Sequence, residues 1–112
     1  MNVINIILGK KKSKEIIEAS KQYFGDNVKY TILHEYFIKP ENFRTYLHIV
    51  LDELSDVVEG LKLEEIDLVL RVPIVFAFML GYSIREHPIL SSKKITLYMY
   101  NPRDKSYQKI EW

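Results

Sequence analysis

Apolar positions along this chain fall into two kinds of run. Some are short and continuous: Val3-Ile4-Asn5-Ile6-Ile7-Leu8, stopping at Gly9, and Leu68-Val69-Leu70, stopping at Arg71. Others recur at spacings of three and four. Short continuous runs rich in β-branched residues predict strands buried on both faces, as in a parallel sheet. The three-four spacing predicts helices with one apolar stripe.

Residues 2–8 are therefore a first strand. Lys10-Lys11-Lys12 follows, then Ser13, which suits a helix N-cap, and Ile16, Ile17, Ala19, Ser20 and Phe24 form the stripe of a first helix. Gly25-Asp26-Asn27 ends that helix with turn chemistry. Val28 to Ile38 predicts a long second strand, broken by Lys39-Pro40-Glu41-Asn42. Phe43, Leu47, Val50, Leu54, Val57 and Leu61 line one face of a second helix that stops near Gly60. Glu65 to Arg71 is a third strand. A third helix runs from Pro73 to about Arg85, with Pro73 at the first helical position, where its missing N–H would have no partner. From Ile74 to Leu80 this helix is apolar nearly all round, which predicts burial on several sides. His87-Pro88 ends it. Lys94 to Tyr100 is a fourth strand, and Asn101-Pro102-Arg103-Asp104-Lys105 a turn. Ser106 to Trp112 is a short fifth strand pairing back at the sheet edge.

The order βαβαβαββ, with right-handed crossovers, predicts a small Rossmann-like α/β layer. Its sheet is mainly parallel, with helices on both faces and a C-terminal β-hairpin. No repeat, low-complexity segment or linker interrupts it, so residues 1–112 read as a single domain.

Composition narrows the function classes. At 47% hydrophobic and 28% charged, with a net charge of +1, the chain carries no global field toward nucleic acid or membrane, so any basic site is local. It has no cysteine, which excludes disulfides, thiolate metal sites and cysteine nucleophiles and fits a cytoplasmic setting. The longest apolar stretch, Val72 to Leu80, falls short of the roughly 18 residues a membrane span needs. The amino terminus lacks the basic-then-apolar pattern of a signal peptide. Eight tyrosines imply aromatic packing or stacking surfaces, and Tyr98, Tyr100 and Tyr107 fit cross-strand pairs in the hairpin.

The sequence contains no G-x-G-x-x-G, no G-x-x-x-x-G-K-[ST], no H-E-x-x-H and no G-x-S-x-G. His34, His48 and His87 lie far apart and lack metal spacing. Dinucleotide-dependent, P-loop and zinc enzymes are disfavoured, and neither metal nor cofactor is expected.

Two segments could carry chemistry. Gly9-Lys10-Lys11-Lys12-Ser13-Lys14 joins a strand to a helix, where a glycine turn, free backbone N–H groups, Ser13 and lysines can meet an anion. It reads equally as a solvated lysine-rich loop. Arg71 ends the third strand, beside the first, between apolar neighbours. A buried arginine needs either a carboxylate, such as Asp67 or Glu35, or an anionic ligand. Open α/β sheets bind ligands outside the carboxyl ends of their strands, so the two segments together would form one basic pocket. His34, Tyr36 and Lys39 end the second strand and could face the same crevice, or Tyr36 could be sheet packing and His34 a satisfied, partly buried histidine. His48 reads as surface or core packing.

The carboxyl-terminal half has a familiar outline. A hydrophobic strand (Ile66 to Val72), Pro73, an apolar helix ending near Leu80-Gly81, a strand (Ile95 to Tyr100) and a hairpin reaching Tyr107 resemble the CARF and SAVED domains of prokaryotic antiviral defence. The likeness is greatest to small standalone members associated with type III CRISPR loci. It implies a homodimer that binds cyclic oligoadenylates at its two-fold axis, above the strand ends. It further implies a ring nuclease that cuts the ring and ends the signal. By this resemblance Gly9, Lys10, Lys11, Lys12, Ser13, Arg71, Val72 and Pro73 fall where phosphates and adenines would lie. Lys10, Lys11 and Arg71 would stabilise charge, Ser13 would donate a hydrogen bond, and His34 is an outside candidate for proton transfer, with Tyr36 beside it. The reaction would need no metal: a ribose 2′-hydroxyl attacks the adjacent phosphodiester and leaves a 2′,3′-cyclic phosphate. A non-catalytic sensor of the same ligand and a ligand-free adaptor are the alternatives.

Overall fold

The structure is a computed structural model, and it describes residues 1–9, 13–34, 39–101 and 103–110, with Ser13 described for its backbone only. The chain is a mixed α/β domain. Its strands are β1 (Val3–Leu8), β2 (Val28–His34), β3 (Glu65–Arg71), β4 (Lys94–Asn101) and β5 (Ser106–Ile110), and its helices α1 (Ser13–Phe24), α2 (Phe43–Gly60) and α3 (Ile74–Glu86). The sheet order is β2-β1-β3-β4-β5. β1 pairs in parallel with β2 and β3, β3 with β4, and only β5 runs antiparallel.

The Rossmann-like expectation is met in part. The first crossover moves one way from β1 to β2, and the next two move back past β1 to β3 and on to β4. With right-handed crossovers such a reversal puts helices on opposite faces, and the packing agrees. Ile4, Ile6 and Leu8 join a core with Leu47, Leu54, Phe76 and Leu80 of α2 and α3. The alternate β1 residues face α1: Val3 clusters with Phe24, and Ile7 with Ile16. All six β1 residues are buried, as the continuous apolar run requires. Asn5, the one polar residue among them, lies under α1, where it accepts from the Ser20 hydroxyl at 2.9 Å and donates to Thr31 Oγ1 at 3.3 Å. The antiparallel β5 replaces the further crossover that would have supplied another helix.

Several boundaries move. β2 is described as far as His34 and β5 as far as Ile110, and the rest of their expected spans, residues 35–38 and 111–112, lie outside the described ones. In α2 the buried face is Phe43, Leu47, Val50, Leu51, Leu54, Ser55 and Val58, while Val57 is only half-buried and Leu61 is exposed beyond the helix end. The 3.6-residue repeat drifts away from a strict alternation of three and four. Pro73 is the N-cap of α3 and not its first helical residue, with its carbonyl accepting from the Ala77 N–H at 3.0 Å.

The larger correction concerns α3. Phe76, Ala77, Leu80, Gly81 and Ile84 are buried, but Ile74, Val75, Phe78 and Tyr82 are 64, 57, 62 and 69% exposed. An all-round apolar helix was expected to be covered on several sides. Here α2 and the sheet cover two, and beyond β4 the hairpin brings no helix to cover a third.

Candidate functional site

The winding reverses between β1 and β3, so the crevice outside their carboxyl ends is the topological switch point, where open α/β sheets take ligands. β1 delivers Gly9 there. Its φ of +106° is a backbone conformation side chains rarely adopt, and its N–H donates to the His34 carbonyl at 2.9 Å. β3 delivers Arg71, paired in register with Ile7, and then the turn Val72-Pro73.

Arg71 is half-buried, and strand alternation turns it to the α1 face, the same side as Val69 and Ile7. Its Nε is buried and has no hydrogen-bond partner among the described residues. Asp67, one suggested partner, is four residues earlier on the same strand, so about 13 Å away along it. Burial pushes the Asp67 carboxyl above its ordinary range, with the chain's amino terminus opposing and Glu65 adding to the rise. Glu35, the other suggested partner, lies outside the described residues. Among the described residues no carboxylate pairs with Arg71, and a guanidinium at a strand end is suited to an anion.

The structure does not bring all the sequence candidates together. His34 belongs to the opposite face: it pairs with Leu8, which is in the α2–α3 core, and its Nε2 sits 3.7 Å from Glu53 Oε1 of α2. The Tyr46 ring packs edge-on against it at 6.0 Å between centroids. Val72 turns its side chain into the core at 4% exposure, while Pro73 is exposed. Lys10, Lys11, Lys12 and Tyr36 lie outside the described residues, as does the side chain of Ser13. His87 is a structural residue: its Nδ1 accepts from the backbone N–H groups of Ile89 and Leu90 at 3.1 and 3.2 Å. Among the described residues no three histidine, aspartate or glutamate side chains gather as a metal set, and no helix is long and apolar enough to cross a membrane.

A second feature escaped the sequence reading. Beside the exposed stripe of α3 runs a groove of about 640 Å³, walled by Ala77, Phe78 and Gly81 on the helix and by Leu97, Met99 and Ile110 on the sheet. Its signal was present in the excess of apolar residues on α3 over what one buried face needs. On the other side of the sheet Tyr100 stands opposite Tyr107 as expected, with ring centroids 5.1 Å apart, whereas Tyr98 stands opposite Lys109.

Compared with known proteins, the chain matches no family model, no curated protein and no solved structure.

Proposed function

We propose that the β1–β3 crevice binds a phosphodiester anion, and that the ligand is a cyclic oligoadenylate. The observation that carries the reading is the Nε of Arg71, buried and without a hydrogen-bond partner among the described residues, at the switch point of the sheet. The resemblance to CARF and SAVED domains supplies the ligand class. A two-fold pair of chains would give a cyclic ligand two copies of Arg71, one for each half of the ring.

In the catalytic form of this reading the ligand brings its own nucleophile. The ribose 2′-oxygen forms a bond to the adjacent phosphorus, the bond to the 5′-oxygen breaks, and the 2′-hydroxyl proton is passed on while the 5′-oxygen takes one up. The products are a 2′,3′-cyclic phosphate and a 5′-hydroxyl. Arg71, always charged, stabilises the phosphorane oxygens without itself exchanging a proton. Lys10 and Lys11 follow Gly9 in the chain and would add charge at the same end. A second reading, a sensor that binds without cutting, is favoured by one observation: His34 faces α2, on the other side of the sheet from Arg71. The deciding experiment is incubation with cyclic tri-, tetra- and hexaadenylate in EDTA. Linear products carrying a cyclic phosphate mean a nuclease. Intact rings that raise the melting temperature mean a sensor, because a ligand bound only to the folded state stabilises it by mass action. Intact rings with no shift leave an adaptor.

A further inference from the structure

β5 ends the sheet, and among the described residues no strand lies beyond it. In an edge strand every second N–H and C=O points away from the sheet, so β5 (Ser106–Ile110) offers its outer backbone to a further strand. Its two faces differ. Ile110 stands opposite Leu97, whose side chain is in the α2–α3 core, so Ile110 and Gln108 share the α3 side. Lys109 stands opposite Tyr98, which packs with Val3 and Phe24 under α1, so Lys109 and Tyr107 share the other side. The groove of about 640 Å³ lies on the α3 side of this same edge. Phe78 and Tyr82 of α3 form its wall, Met99 and Ile110 belong to its floor, and no described element beyond β5 supplies the opposite wall.

We propose that an extended acidic segment of a partner protein adds to β5 as a sixth strand, with its alternate apolar side chains closing the groove. Each property of the partner follows from a separate observation. The open backbone of β5 pairs with an extended chain. The groove takes apolar side chains at every second position, those that fall on the α3 side. Charge sets the rest. The hairpin from Arg103 to Ile110 carries three cations, Arg103, Lys105 and Lys109, against one acid, Asp104, and Arg85 lines the groove itself. An acid opposite Lys109 makes a favourable cross-strand pair on the face away from the groove. The same cations weigh against a second copy of this chain as the occupant, because two β5 edges laid together would set like charges side by side. A strand matched to the five residues of β5 makes a small interface, so the expected affinity is of micromolar order.

This surface is two strands away from β3 in the sheet. It does not rest on the ligand reading of the β1–β3 crevice, and its test contains no nucleotide.

The test uses the whole chain and a short fluorescein-labelled peptide that alternates glutamate and valine, read by anisotropy at low salt. Binding should saturate, and amide exchange should slow along Ser106–Ile110 when the peptide is present. A peptide alternating lysine and valine should bind about 5-fold more weakly or worse, and one alternating glutamate and serine should not bind. Lys109→Glu changes an exposed side chain and should shrink the preference for the acidic peptide by about 5-fold. Phe78→Glu, at the exposed lip of the groove, should weaken the same peptide. Both variants should keep the parent's circular dichroism. Three results would each overturn the proposal. The first is a folded parent that does not bind the glutamate–valine peptide. The second is equal affinity for the lysine–valine peptide. The third is a parent that sediments as a dimer with β5 amides already slow before peptide is added, which would put a second copy on this edge.

Discussion

Replacing Arg71 with methionine separates a residue kept for binding from one kept for folding. The change preserves most of the length of the side chain and removes its charge. In the unliganded protein the buried Nε has no partner among the described residues. An unsatisfied buried polar group costs about 1–3 kcal/mol. Apolar replacement of buried ionic groups is often neutral or stabilising. Arg71 is only half-buried, so the low end applies, a gain of roughly 1 kcal/mol. For a domain of this size that is about 3–6 °C in melting temperature. Ligand binding should move the other way. Loss of one desolvated charge contact costs about 2–3 kcal/mol, or roughly 30- to 150-fold in affinity. Thermal unfolding with and without cyclic tetraadenylate reads both effects in one assay. The expected result is a higher melting temperature without ligand and a lost or much smaller shift with it. A variant that melts well below the parent and binds as tightly would show that Arg71 is held by a partner in the folded chain, and would refute the reasoning.

Other expectations follow from the same structure. Gly9→Ala places a side chain at a φ of +106° and should cost about 1–3 kcal/mol, checked by urea unfolding. Ser20→Ala removes the donor to Asn5 Oδ1 in the buried layer under α1 and should cost about 1–3 kcal/mol, again by urea unfolding. Burial, and next the neighbouring Tyr100, push the Tyr107 hydroxyl up from 10.0 to about 12, with Ser20 opposing. The raised value favours the neutral form in the folded state, so the associated stability is present below pH 10 and is lost as pH rises toward 12. Tyr107→Phe should flatten that alkaline loss, and equal slopes for both proteins would contradict the assignment.

The sequence made the sheet largely legible because burial on both faces leaves its mark on every residue of a strand, as in Val3 to Leu8. The switch point followed, since Gly9 and Arg71 end neighbouring parallel strands. The split between Arg71 and His34 did not follow. Arg71 stands opposite Ile7 and His34 opposite Leu8, and a one-residue difference in register sends a side chain to the other face. Register depends on partners that a single strand's pattern does not contain. The exposure of Phe78 and Tyr82 was illegible for a related reason. An apolar helix shows that it wants cover, while the number of neighbours available is set by topology, here by a chain that returns from β4 as a hairpin.

The central claim is an anion site at the β1–β3 switch point, and titration of cyclic tetraadenylate into the parent and Arg71→Met proteins tests it most directly. The account expects saturable binding to the parent, in EDTA, that weakens by about 30-fold or more in the variant. Binding that is absent from a folded parent, or equal in the two proteins, would contradict it.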